Sequence, residues 1–199
     1  MSFLSGEQYE FFDEKLTNLA HRRETLAGLS FHDCTFIDCD FTESTFSHCT
    51  FIDCTFKSCE LSLITVEACR FNGVQFHDTK LMGVNWSKAA MLKQISFVHC
   101  NISYSTFMEL DLSRAAITHC EAKETYFAET NLTKANCTHT NFIDSKFMHT
   151  NLTRTDFTGA QNYFISPMQN ILKKTKFAMP EAISLLYGLD IILDDQHVG

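Results

Sequence analysis

Apolar side chains recur at every fifth residue from Leu26, and the phase holds over most of the chain. A first run takes Phe31, Phe36, Phe41, Phe46, Phe51 and Phe56, then Leu61, Val66, Phe71, Phe76, Leu81 and Trp86. A second run, displaced by one residue, takes Phe97, Ile102, Phe107, Leu112, Ile117, Ala122, Phe127, Leu132, Cys137, Phe142, Phe147, Leu152 and Phe157. All 26 centres are apolar in a chain that is 45% hydrophobic, which chance would give roughly once in 10⁹. A period of five belongs to neither an α-helix nor a simple strand. It predicts a repeat array with the phenylalanine ladder as its core.

The position two before each centre is the second constraint. It reads Leu29, Cys34, Cys39, Ser44, Cys49, Cys54, Cys59, Ile64, Cys69, Val74, Thr79 and Val84 in the first run and Ile95, Cys100, Ser105, Leu110, Ala115, Cys120, Thr125, Thr130, Ala135, Thr140, Ser145, Thr150 and Thr155 in the second. None of these residues is charged and most are small, so two positions in five face inward, one large and one small. The other three carry the charge and face water. One extra residue falls within 87–96, which predicts a bulge or small bend inside one array rather than a domain boundary.

The ends depart from the array. Residues 1–25 show no clean phase and are expected to form an irregular or partly helical cap. Residues 158–199 form a separate C-terminal module, because the period stops at Gly159. Within it, MPEAISLLYG (Met179 to Gly188) predicts a helix: Pro180 suits a first turn, Ala182, Ile183, Leu185 and Leu186 give a stripe, and Gly188 ends it. LDIIL (Leu189 to Leu193) predicts a short strand. Such a helix at the end of an array either caps the last turn or makes a dimer.

These residues resemble the pentapeptide-repeat family, whose unit is roughly A(D/N)LXX. ETNLTKANCTHTNFIDSKFMHTNLTRTDF (Glu129 to Phe157) is close to that form, and the first half places Cys where the unit has Ala. The resemblance covers residues 26–157. It implies an all-β solenoid, a right-handed quadrilateral β-helix with four units per coil, so that residues 20 apart stack. At a strand spacing of about 4.8 Å, the repeats would build about six and a half coils, on the order of 30 Å tall.

Composition narrows the function. Of the 199 residues, 24 are acidic and 16 basic, a net charge of −8. That disfavours direct binding to nucleic acid or anionic membrane and favours a basic partner. No export segment and no membrane-spanning run is evident, so a cytoplasmic protein with reduced cysteines is expected. The nine cysteines have spacing unsuited to zinc knuckles and read as soft core filler. No catalytic motif is present and no cofactor or metal is expected: the chain does not read as an enzyme.

With coils of twenty, His99, His119 and His139 form an outward ladder, expected to be solvated rather than metal-binding. Acids also stack: Asp33 on Asp53, Glu109 on Glu129, Glu124 on Asp144. Part of that is simple solubility. The sharper reading is a partner-binding acidic face resembling duplex phosphates.

CDFTESTF, CELSLITV, KLMGVNWSKA and the tail with FAMPEAISLLYGLDIIL are similar to the gyrase-protecting subgroup, the Qnr quinolone-resistance proteins and the albicidin-resistance protein. The resemblance implies a DNA-mimicking rod that binds DNA gyrase, a type II topoisomerase, and protects it from topoisomerase poisons. It also implies a head-to-head homodimer through the C-terminal module, for which Ile183, Leu185, Leu186, Leu189, Ile191 and Ile192 are the candidate interface. Two features qualify it. Extended loops between repeats are missing, and residues 26–86 carry eight acids against three bases while 97–157 carry seven against five, so the stronger negative charge would lie away from the dimer centre. An interaction scaffold or regulator with another protein partner is the main alternative, and drug sequestration a further one that the filled core does not favour.

Overall fold

The computed structural model describes residues 9–189 and Ile191. The chain winds into a four-sided solenoid whose strands pair in parallel with the coil above and below. Face 1 stacks Glu10–Phe12, Ser30–His32, Thr50–Ile52, Arg70–Asn72 and Met91–Lys93. Face 2 stacks Lys15–Thr17, Thr35–Ile37, Thr55–Lys57, Gln75–His77, Ser96–Val98 and Ala116–Thr118. Face 3 is a column of single bridges from Ala20 through Asp40, Glu60, Lys80, Asn101, Glu121 and Asn141 to Gln161. Face 4 begins with Thr25–Ala27, Thr45–Ser47 and Thr65–Glu67.

Each five-residue unit is one side and one corner. The centre points inward, and the residue two after it turns the chain in the left-handed conformation. Thus Asp33 has φ 54°, Asp53 51°, His119 55° and Lys134 61°. Gly28, Gly73, Gly83 and Gly159 occupy the same position with φ of 67–71°. Asp, Asn and His enter this region more readily than other side chains, and glycine without penalty.

The residue before the centre decides how regular each side is. Thr35, Thr45, Thr50, Thr55 and Thr65 all begin short strands, as β-branched residues favour. Asn101, Asp111, Asn131, Asn136, Asn151 and Asp156 instead accept through Oδ1 from the amide two residues on, at 3.0–3.1 Å. This closes an Asx turn, so the second half is mostly bridges and turns.

The interior is a filled aromatic stack. On face 2 the Phe36, Phe56, Phe76 and Phe97 rings follow at 4.4, 5.1 and 5.2 Å, each pair within 19° of parallel. Between faces the rings meet edge-on, as Phe31 and Phe36 do at 71°, so both favoured aromatic geometries are used. Phe31, Phe36, Phe41, Phe46, Phe51, Phe56, Phe97, Phe107, Phe127, Phe142 and Phe147 are all buried.

The extra residue is a bulge on face 1. After a short 3-10 helix, Trp86–Lys88, the amides of Ala90 and Met91 both donate to the Cys69 carbonyl, at 2.8 and 3.2 Å. Ala89 packs on the core in the small-residue place, Ala90 is extruded, and Leu92 becomes the next centre. Among the described residues, face 1 pairing then stops at Met91–Lys93 and resumes between Asp111 and Asn131. A cleft of about 830 Å³ opens there, lined by Asp53, Lys93, Gln94, Asp111 and Arg114.

Both ends differ from expectation. The solenoid does not start at residue 26: Phe11 and Leu16 are buried centres, and Phe11 stacks on Phe31 at 4.8 Å. His21 is the centre that hides the phase. It is buried, stacks on Phe41 at 5.9 Å and bonds Glu24 at 2.6 Å. Bridges also continue past 157, from Asn151 to Ile171 and Asp156 to Lys176. The expected helix is a 3-10 helix, Glu181–Leu189, rather than an α-helix. Its Gly188 lies where a Cβ would come within 3.1–3.3 Å of Pro167 and Ser166, so the tight turn is pressed against the preceding segment. Leu189 of the expected strand ends this helix and Ile191 is in no regular element. Its remaining residues lie outside the described ones.

Candidate functional site

The predicted acids are all exposed corner residues, but not on one face. Asp33 and Asp53 lie at the corner of faces 1 and 2, Glu124 and Asp144 at that of faces 3 and 4, and Glu109 and Glu129 at that of faces 4 and 1. Stacking brings each pair together and separates the pairs around the rod. Their left-handed backbone is a second reason for polar side chains there, independent of any partner.

The more acidic side is face 3 with its two corners, where Asp40, Glu60 and Glu121 precede a centre, a position the corner pattern overlooks. Asp38, Asp40, Glu43, Glu60, Asp78, Glu121, Glu124 and Asp144 gather there. Some are neutralised in place: Asp40 by Arg22 at 3.4 Å, Glu43 by Arg23 at 2.8 Å, Glu60 by Lys80 at 2.7 Å. Burial alone would raise the Asp40 carboxyl, but the Thr42 hydroxyl and amide with Arg22 hold it below the usual range. The Arg23 guanidinium holds Glu43 down likewise. Asp38, Asp78, Glu121 and Asp144 make no ion pair among the described residues, and Glu121 accepts from Asn141 Nδ2 at 2.9 Å. Spacing by twenty from Asp40 to Glu60 was the available signal for this column.

The histidines form the expected ladder. Successive imidazoles of His99, His119 and His139 stack at 4.8 Å, tilted by 28° and 21°. Near-parallel rings do not converge on one point. Among the described residues no group of three or more His, Cys, Asp or Glu side chains is placed to hold a metal ion.

All nine cysteines are free and buried. Cys54 Sγ lies 3.4 Å from the Phe31 carbonyl, and Thr150 Oγ1 donates to the Phe127 carbonyl at 2.7 Å. Thiol and hydroxyl thus address the same carbonyl of the preceding coil, which is why they interchange. Burial pushes the Cys34 and Cys54 thiols up, Cys54 to about 12.

At the C-terminal end, Ile183, Leu186, Leu189 and Ile191 are exposed, as is Tyr187. Leu185 instead packs against the core, and Ile192 lies outside the described residues. A groove of about 650 Å³ runs beside the 3-10 helix, lined by Met148, Phe164, Glu181 and Tyr187 among others.

The pentapeptide-repeat region model matches residues 29–107, and the pentapeptide repeats model matches 111–147 and 125–161. The chain is a pentapeptide-repeat protein. Among solved structures, this pentapeptide-repeat protein is similar to trypsin-treated QnrB1, a plasmid-mediated fluoroquinolone resistance protein, with a TM-score of 0.68 and 17% identity over 93% of this chain and 97% of that one. Full-length QnrB1 gives 0.54 and 18% over 89% and 100%. HetL, involved in heterocyst differentiation regulation in the cyanobacterium Nostoc sp. strain PCC 7120, gives 0.50 and 14% over 85% and 90%. These likenesses show the fold. No curated protein sequence matches the chain. Among the described residues, no helix of this pentapeptide-repeat protein is long and apolar enough to cross a membrane.

Proposed function

We propose that this protein binds DNA gyrase and protects it from topoisomerase poisons, acting as a binding rod without catalysis of its own. The observation carrying this reading is the end-to-end likeness of its solenoid to a fluoroquinolone resistance protein, over 93% of one chain and 97% of the other. The acid-rich face 3 supports it with a surface suited to a basic groove, and Glu124 and Asp144 border that face. Asp33, Asp53, Glu109 and Glu129 would reach a partner only if it wraps further round the rod. A head-to-head homodimer through Ile183, Leu186, Leu189 and Ile191 belongs to the same proposal, since exposed apolar residues cluster at that end.

The test is a supercoiling assay with purified gyrase and a quinolone or albicidin. Added protein is expected to restore supercoiling at concentrations that leave drug-free gyrase active, and E121K/D144K to weaken the rescue. No rescue with either poison overturns the proposal. It would favour the second reading, a scaffold for a different protein partner, which the likeness to a differentiation regulator supports.

A further inference from the structure

One corner of the rod reverses its charge midway. The corner of faces 1 and 2 reads Asp13, Asp33, Asp53, Gly73, Gln94, Arg114, Lys134, Arg154 and Lys174, one residue per coil, all with positive φ. Elsewhere opposite charges are set one coil apart and bond: Arg23 to Glu43 at 2.8 Å and Lys176 to Asp156 at 2.9 Å. Here like charge stacks on like, first three carboxylates and then four cations, an arrangement that costs stability in a lone chain. Among the described residues none of Asp13, Asp33, Asp53, Arg114, Lys134 and Arg154 makes an ion pair. This corner therefore carries charge that the chain itself does not answer.

The column is its own complement. Turned end over end, a second copy sets Asp13 against Arg154, Asp33 against Lys134 and Asp53 against Arg114. The three acids and the three bases are each spaced by successive coils, so the match holds whatever the gap between the halves. The neighbouring column on face 2 agrees: Lys15 would face Asp156, Thr35 would face Asn136 and Thr55 would face Ala116, with no like charges opposed. On the face 1 side, Phe12 is 57% exposed beside Asp13 and would be covered. Asp53 and Arg114 line the cleft left by the broken ladder, which places the opening at the two-fold axis.

We propose that this corner is a self-docking ridge, on which a second copy of this chain lies antiparallel and closes a two-fold dimer through these three charge pairs. An isologous contact needs the same patch on both copies, and this palindromic column supplies it. The contact lies along the side of the rod, apart from the C-terminal module and independent of any gyrase binding. Being exposed, it is salt-dependent.

Sedimentation of the full chain at low salt is expected to show a dimer contact that high salt dissolves. D13K/D33K/D53K and R114E/K134E/R154E should each weaken it at least tenfold, and mixing the two variants one to one should restore it. Both a glutamate, Glu43, and a lysine, Lys134, already occupy corner positions with positive φ, so both variants are expected to fold, which circular dichroism checks. A carbodiimide should join Asp33 of one copy to Lys134 of another. Within one chain the two stand five coils apart, at least roughly 24 Å, too far for a zero-length link. In R154K the new amine should link to Asp13. Linkage to Asp53 instead would mean a staggered parallel contact and overturn the antiparallel arrangement. Unchanged association in both triple variants, or no recovery on mixing, overturns the ridge itself, since a contact through the C-terminal helix is indifferent to these exchanges.

Discussion

A Cβ on Gly159 would stand 2.5 Å from Nδ1 of His139, because the last imidazole of the histidine ladder lies over the glycine one coil on. Gly159 also has φ 71°. Gly159→Ala should therefore cost about 1–2 kcal/mol from the left-handed backbone, plus the displacement of the ring. In a His139→Ala background only the backbone part should remain. A double-mutant cycle by denaturant unfolding reads the coupling.

The bulge makes a deletion harmless at one place and ruinous at another. Removing Ala90 returns the spacing from Trp86 to the next centre, Leu92, to five. The variant should fold with unchanged strand content by circular dichroism. Removing Thr55 shifts every later residue of its coil by one and turns charged positions inward. That variant should not give a cooperative melt.

The aromatic stack should dominate stability. Phe51 is buried between Phe31 and Phe71, at 5.2 and 5.0 Å, and Phe51→Ala is expected to cost about 3–5 kcal/mol. Tyr126, which is exposed, should cost no more than about 0.5 kcal/mol on replacement by alanine. Paired thermal and urea melts decide this.

Much of this was legible because burial constrains sequence tightly. Phe31 to Phe56 announce their phase, and the Cys-for-Thr exchange follows from a shared carbonyl. The first coil was not, since His21 fills a core position with a polar ring that Glu24 satisfies. The corner conformation was present in the chain as Gly28, Gly73, Gly83 and Gly159, all two after a centre. Read for charge alone, that position suggested one acidic face, whereas register distributes Asp33, Glu109 and Glu124 over three corners. Periodicity places residues along the axis; only the assignment of each unit to a side places them around it.

Acid should weaken the rod through carboxylates held in ion pairs. Asp156 is partly desolvated, which raises its pKa, but the Thr158 hydroxyl and amide and Lys176 outweigh this and lower it. A depressed folded pKa gives stability that is present above the unfolded value, about 3.9, and lost as pH falls through the folded one. Asp156→Asn keeps the turn's acceptor and removes the charge. It should lose no more than about 1 kcal/mol at pH 7, a difference that disappears below about pH 3. Urea melts across that range test the sign.

Thiol chemistry should be silent until the chain opens. With all nine cysteines buried, a water-soluble disulfide reagent is expected to label none in the native protein and nine after denaturation. Prompt native labelling would show that the coils breathe.

Because every rung repeats one backbone plan, the coil that carries a side chain fixes its height and little else. The molecule is in that respect a ruler with graduations of about 4.8 Å. Exchanging two corner residues twenty apart moves a functional group by one mark without asking the chain to refold. A partner that measures height along the rod can thus be mapped mark by mark, with each variant serving as its neighbour's control.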